Sequence, residues 1–245
     1  MEMLILYLYL CLLISFVTSF HTHKCPSIYH CPVNEFLEKE NITQDLNLDP
    51  CTIFPTQCLQ ILSLNICSAT NSGEATMGSI IDLSHVQQEP KVNITFPNNT
   101  KSLVLLAMVD PDAPSRKNPT SRYVCNVGSY LTYHIGIYIN IMMYNLKISI
   151  KNIFFYTCRE FLHWLVAYKS DDTKRILMEF MPSSPPLGSG LHRYVFLTFV
   201  IPDHHLDDLQ KVTSRSHFQI VEYLKQNNLN GTTVSSVNFY LTERK

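Results

Sequence analysis

The chain has 245 residues, 46% of them hydrophobic and 16% charged, which suffices for one substantial core and is too short for more than two domains. Lys plus Arg is 19 and Asp plus Glu is 20, so the net charge of -1 gives no long-range field for nucleic acid or an anionic surface. Neither is an expected partner, and any anion site must be local.

The opening stretch, MEMLILYLYLCLLISFVTSF, is apolar from Met3 to Val17 but for Ser15. Val17 and Ser19 fit the small-residue positions of a signal-peptidase site, so residues 1–19 are expected to be a cleaved signal peptide, although Glu2 replaces the usual basic residue. The run is shorter than the ~20 residues a spanning helix needs, so no transmembrane segment is expected in the mature, secreted form. Four sequons agree with secretion and make Asn41, Asn93, Asn98 and Asn230 expected glycosylation sites, while Asn118 is excluded by the proline after it.

Residues 20–78 carry Cys25, Cys31, Cys51, Cys58 and Cys67, with helical character only near 34–40. In an oxidising compartment such clustering implies disulfides stapling a loop-rich N-terminal extension, with one thiol left over. If the signal reading fails, the same cysteines are buried free thiols.

From residue 79 the chain turns strand-like, with strands predicted at 79–83, 91–96, 103–109, 161–168, 175–181, 192–201 and 234–241, separated by Pro, Gly, Asn and Asp. One helix is predicted at 217–226, capped by Ser214 or Ser216. This pattern describes a mainly β domain over 79–245, a β-sandwich with peripheral helices.

Residues 123–158 break the pattern. They contain no Asp, Glu, Pro, Ala, Gln or Arg, yet seven Ile, six Tyr and four Asn. A spanning helix is disfavoured by His134, Asn140, Asn145, Lys147 and Lys151. A pair of extra strands and translated intron remain, and the second explains more. Ile, Tyr, Asn, Lys and Phe all have codons built only of A and T, and both edges can encode splice signals. Splicing there would fuse Arg122 and Arg159 into one arginine and give NPTSREFLHWLV.

Three stretches carry the chemistry. VDPDAPSR sets Asp110 and Asp112 among prolines at the end of a buried strand. In Arg159-Glu-Phe-Leu-His-Trp164, strand alternation puts Phe161, His163 and Leu165 on one face and Leu162, Trp164 and Val166 on the other. In PSSPPLGSGLHRYVF, His192, Tyr194 and Phe196 share a face after a Pro- and Gly-rich loop whose backbone N–H groups can approach a ligand. Alone, the two aspartates would be turn-formers; Asp-x-Asp with two histidines also permits a metal, which the prolines disfavour.

In this order, DPDAPSR, REF(x)H and SPP(x)GSGLHRYVF resemble the phosphatidylethanolamine-binding protein family, also called the Raf kinase inhibitor protein family, from residue 79 to the C-terminus with the insert removed. The signal sequence, the cysteines and the SPP loop look most like its secreted, fourth-type members. The resemblance implies an antiparallel β-sandwich with a small anion pocket at one end, lined by Asp110, Pro111, Asp112, Phe161, His163, Ser184, Pro185, His192 and Tyr194, and needing no metal or cofactor. Phe161 stands where many members have Trp, Leu162 where they have His, and Ser184 where they have Gly, which leaves the loop's backbone freedom open.

The residues make chemical sense of that pocket. Imidazoles, a phenol and loop N–H groups donate to phosphate, and a carboxylate beside imidazole favours its charged form and accepts from an ammonium. The expected function is non-enzymatic binding of phospholipid headgroups such as phosphatidylethanolamine, or of similar small phosphorylated anions. The alternative is an interaction module modulating a protease, kinase pathway or receptor through a protein partner. A hydrolase is the weakest candidate, because no serine elbow or cysteine nucleophile accompanies the acids and histidines.

Overall fold

A strand covered on both faces needs apolar side chains at every position rather than at alternate ones. Residues 103–109, LVLLAMV, meet that requirement, and in the computed structural model they form the body of a strand, Ser102–Asp110, buried at all 9 positions. The structure describes residues 32–46, 48, 59–67, 72–96, 102–116, 123–124, 157–158, 160–171, 173–202 and 206–245, by backbone alone at 67, 72, 123–124 and 157–158. The signal segment, Cys25, Cys31, Cys51, Cys58, Asn98, Arg122 and Arg159 lie outside the described residues.

In chain order the elements are α1 (Pro32–Lys39), α2 (Ile42–Asp45), β1 (Gln60–Ile61), β2 (Ser63–Cys67), β3 (Ser72–Glu74), β4 (Ser79–Ile80), a 3-10 turn (Leu83–Val86), β5 (Lys91–Asn93), β6 (Ser102–Asp110), β7 (Tyr123–Val124), β8 (Thr157–Cys158), β9 (Phe161–Lys169), β10 (Lys174–Met178), β11 (His192–Pro202), α3 (Ile220–Gln226) and β12 (Val234–Thr242). A seven-stranded sheet runs β1-β12-β11-β6-β9-β10, with β4 also on β12. The strands from β6 onward pair antiparallel, while β1 and β4 lie parallel to β12.

Alternation along the central strands divides the core. Leu105, Ala107, Leu165, Leu197 and Phe239 face α1, α2 and α3 through Leu37, Ile42 and Leu224. Leu106, Met108, Trp164, Phe196 and Tyr240 face a second sheet, ordered β3-β2-β5, through Leu64 and Ile66. The protein is thus mainly β, a two-sheet sandwich with helices on the outer face of the larger sheet. Among the described residues no helix is long and apolar enough to cross a membrane.

The chain before Ser79, expected as a loop-rich extension, supplies β1 to the large sheet, β2 and β3 to the small one, and the α1–α2 hairpin to the core. Its docking needs Gly78, whose φ of +77° no side chain adopts easily and whose Cβ would stand 2.8 Å from the Phe36 ring. Phe36 in turn stacks on Phe239, centroids 5.7 Å apart.

The predicted 217–226 helix begins later, at Ile220, because His217 sits at φ +59° and Phe218 N–H donates to the Glu160 carbonyl at 3.1 Å. Its cap is not a serine: the buried Glu160 carboxyl accepts from Ile220 N–H at 3.1 Å. The ends of the 123–158 segment pair with each other, Tyr123 with Cys158 and Val124 with Thr157, in a ribbon separate from both sheets. Its interior lies outside the described residues.

Candidate functional site

β6 and β11 pair antiparallel, which brings the last residue of one, Asp110, to the first residue of the other, His192. His192 Nδ1 lies 2.8 Å from Asp110 Oδ2, with His192 fully buried and Asp110 3% exposed. The ring's other nitrogen, Nε2, lies 2.9 Å from Ser189 Oγ. That hydroxyl has one proton, and donates it to the Pro186 carbonyl at 2.6 Å. The ring thus stands between two oxygens, the Asp110 carboxylate at Nδ1 and, at Nε2, a hydroxyl whose proton is directed to Pro186.

His163 arrives by a break in strand geometry. Met108 pairs with Trp164 and Val109 with Leu162, so His163 is the extra residue of a β-bulge. The bulge overturns the expected alternation: Leu162 joins Leu165 and Ala167 on the helix-covered face, while Trp164 and Val166 lie on the other. Freed backbone groups at a bulge need partners. Arg215 supplies them, donating from Nη1 to the carbonyls of Leu162 and His163 at 3.1 and 2.9 Å, and Met181 N–H also donates to His163 O at 2.8 Å.

The His163 ring, 2% exposed, stands edge-on to Tyr194 with centroids 5.0 Å apart and 5.1 Å from Phe161. Its Nδ1 donates to the Met181 carbonyl at 3.0 Å, leaving Nε2 as its other polar atom. Burial holds its pKa below the ordinary histidine value, only partly offset by the Met181 carbonyl and Asp110. Neutral His163 thus presents an acceptor at Nε2, and becomes the donor expected from the sequence only on taking up a proton.

Tyr194 is fully buried, stacked on Tyr240 at 5.6 Å, and its hydroxyl accepts from Ser184 N–H at 3.2 Å. Burial, reinforced by Asp110, pushes its pKa up, so the phenol keeps its proton for donation. Ser184 is exposed and Pro185 buried. Among the described residues the non-glycine ones at positive φ are Asn41, His217 and Asn228, so Ser184 occupies ordinary backbone and costs the loop no strain. The loop's turns fall instead on Gly188 and Gly190, at φ +73° and +85°.

Asp112 takes another role than the one expected. Its Oδ2 accepts from Arg193 Nε at 2.8 Å and from Arg193 N–H at 2.9 Å, and its Oδ1 from Arg193 Nη2 at 2.6 Å. Both oxygens therefore face a fully buried arginine rather than the His192 side. Asp112 still acts on the pocket through its backbone N–H, which donates to Asp110 Oδ1 at 2.7 Å. Pro111, between them, is buried. The two acids do not converge on a common centre.

The structure therefore gathers Asp110, His192, His163, Phe161, Tyr194 and the backbone of Ser184 at one end of the sandwich, and turns Asp112 away. Sequence reasoning missed Ser189, Tyr240, Arg193 and Arg215. For Arg193 a signal existed: alternation from His192 and Tyr194 puts it on the face of Val195 and Leu197, where a buried charge demands a carboxylate. Of the sequon asparagines described, Asn41, Asn93 and Asn230 are all exposed.

The sandwich thus gathers a buried acid–imidazole pair, a second imidazole, a phenol and a loop amide at one end. The family model for phosphatidylethanolamine-binding protein matches residues 71–239, well over half of the chain, and the protein belongs to that family. Its fold resembles a carboxypeptidase Y inhibitor solved in complex with its cognate proteinase (TM-score 0.60, 20% identity, 89% of this chain and 98% of that one). It also resembles the phosphatidylethanolamine-binding proteins of Plasmodium vivax (0.57, 18%, 86% and 97%) and Plasmodium falciparum (0.53, 17%, 88% and 100%). At such identities these likenesses speak to the fold.

Proposed function

We propose that this protein binds phospholipid headgroups, phosphatidylethanolamine foremost, or small phosphorylated anions of the same chemistry, without turning them over, and that it does so as a secreted glycoprotein. The observation that carries this is the buried Asp110–His192 pair, in which the ring's two nitrogens face the Asp110 carboxylate and the Ser189 hydroxyl. A phosphate oxygen replacing Ser189 Oγ at Nε2 gains a charge-assisted hydrogen bond, and the Tyr194 hydroxyl and loop amides add neutral donors. Each Asp110 oxygen keeps a second lone pair for an ammonium.

Hydrolysis is less well supported, although Ser189, His192 and Asp110 stand in line at 2.9 and 2.8 Å. A nucleophilic serine must pass its proton to the imidazole. Here the Ser189 hydroxyl donates to the Pro186 carbonyl, so its proton is not aimed at the imidazole.

Titration with phosphoethanolamine tests the binding. The wild type is expected to bind, His192→Ala and Asp110→Ala to lose most of that affinity, and equal binding by all three, or none by any, overturns the proposal. Secretion and glycosylation are read by expression in a secretory host, where a mass drop on enzymatic deglycosylation is expected, and retention of an unglycosylated chain would contradict it.

A protein partner is the second reading, motivated by the fold shared with the carboxypeptidase Y inhibitor. Assay of carboxypeptidase Y with excess protein decides it, since full retention of activity removes the motive.

A further inference from the structure

Arg193 makes more contacts than its pair with Asp112. Its Nη2 also donates to Asp45 Oδ2 at 2.6 Å, and its Nη1 donates to the Glu40 carbonyl. Both partners belong to the α1–α2 hairpin, which precedes the stretch matched by the family model at 71–239. A chain of direct contacts follows: Asp45 to Arg193, Arg193 to Asp112, Asp112 N–H to Asp110 Oδ1, and Asp110 Oδ2 to His192. Every side chain in it is buried except that of Asp45, which is 13% exposed.

We propose that the N-terminal hairpin is part of the ligand site, with Asp45 a positioning residue that sets the Asp110–His192 pair through Arg193 and Asp112. The guanidinium is shared, holding Asp112 on one side and Asp45 on the other. Its Nη2 lies 2.6 Å from each of two carboxylates, so its place is a balance between them. Burial opposes its charge, and the hydrogen bonds and charges of Asp112 and Asp45 outweigh that cost and hold its pKa above the ordinary value. With Asp45 neutral, Arg193 relaxes towards Asp112. The DPD turn follows, because Asp112 is tied to Arg193 by backbone as well as side chain. Asp110 then loses the N–H that fixes its carboxylate, and His192 is less firmly aimed.

This rests on the pocket proposed above, so the test keeps the two apart. Full-length Asp45→Asn, Asp45→Ser, Asp45→Glu and Ile42→Val are compared by calorimetric titration with glycerophosphoethanolamine and by the His192 ring-proton resonances in the absence of ligand. Ile42 is buried in the same hairpin but carries no charge, and so reports on hairpin stability alone. The asparagine and serine variants are expected to bind at least about fivefold more weakly, a loss of about 1 kcal/mol, and to shift the His192 resonances. Asp45→Glu should restore both, and Ile42→Val should leave both in place.

Wild-type affinity and resonances in whichever neutral variant folds would overturn the proposal, and so would Ile42→Val reproducing both changes. If the wild type binds no ligand, the functional proposal fails while the resonances still decide this one.

Discussion

Arg193 and Asp112 form a two-pronged ion pair in the protein interior, Nε to Oδ2 at 2.8 Å and Nη2 to Oδ1 at 2.6 Å, with the arginine fully buried and the aspartate 2% exposed. Removing the arginine takes its close partner from Asp112, and removing the aspartate leaves the buried guanidinium to Asp45 and the Glu40 carbonyl; a buried charge that loses a partner retains its desolvation cost.

Asp112→Asn is therefore expected to lower unfolding stability by about 3–5 kcal/mol. Asp110→Asn keeps an amide oxygen in place of one carboxylate oxygen and strands no arginine, so it should cost much less, yet it should abolish headgroup binding. Urea unfolding and ligand titration on the two variants separate the roles. A stability loss under about 1 kcal/mol for Asp112→Asn would place the acid in the pocket after all.

The contrast shows what the sequence could and could not convey. Two aspartates two apart in DPDAP look equivalent, and only the partner strand tells them apart: β11 presents His192 to Asp110 and Arg193 to Asp112. The sandwich itself was legible, since the continuous apolar run of β6 and the alternation of β11 are local signals. So was the cluster of donors, through motif order. The bulge at His163 was not legible, because an extra residue leaves no mark in a period-two pattern until the pairing strand is known. The cap of α3 was hidden for a similar reason: Glu160 lies sixty positions before the N–H that it accepts from.

Glu160 gives a pH prediction of definite sign. Burial raises its carboxyl well above the ordinary 4.5, against the smaller opposing effect of the Ile220 hydrogen bond. The folded chain thus holds a proton that the unfolded chain releases near pH 4.5, and stability falls as pH rises from there towards the folded value. Glu160→Gln keeps an acceptor for Ile220 and removes the titration. Thermal unfolding should find the variant more stable than wild type by roughly 1–2 kcal/mol at about pH 8, and the gap closing near about pH 4. A gap that does not change with pH would mean that the carboxyl ionises as freely in the folded chain as in the unfolded one.

His163 shifts in the opposite sense, and here the readout is binding. Burial favours its neutral form below the ordinary 6.5, and in that form Nε2 accepts rather than donates. An anion in the pocket favours the protonated ring, so binding takes up a proton and affinity rises as pH falls. Glycerophosphoethanolamine suits the measurement, because its phosphodiester does not titrate in this range. Its affinity should increase several-fold from about pH 8 to about pH 5.5, and His163→Gln should flatten that rise. Calorimetry in two buffers of different ionisation enthalpy reads the proton directly, and no uptake by the wild type would mean that His163 remains an acceptor in the complex.

The segment 123–158 calls for the most drastic variant. Its ends pair with one another through β7 and β8, and that ribbon joins neither sheet, so the two ends of the segment stand next to each other. The entropy cost of joining two such ends grows only as the logarithm of the length between them, so a shorter connection can span the same points. A deletion that leaves a single arginine and reads NPTSREFLHWLV should fold, bind headgroup analogues with wild-type affinity, and melt no lower than the full chain. The β9 residues that follow, Phe161 and His163, are held by β6, Arg215 and Met181. Failure of the shortened chain to fold, or loss of its ligand affinity, would make 123–158 part of the working protein and remove the case for a retained intron, which sequencing of the transcript across the same junction tests independently.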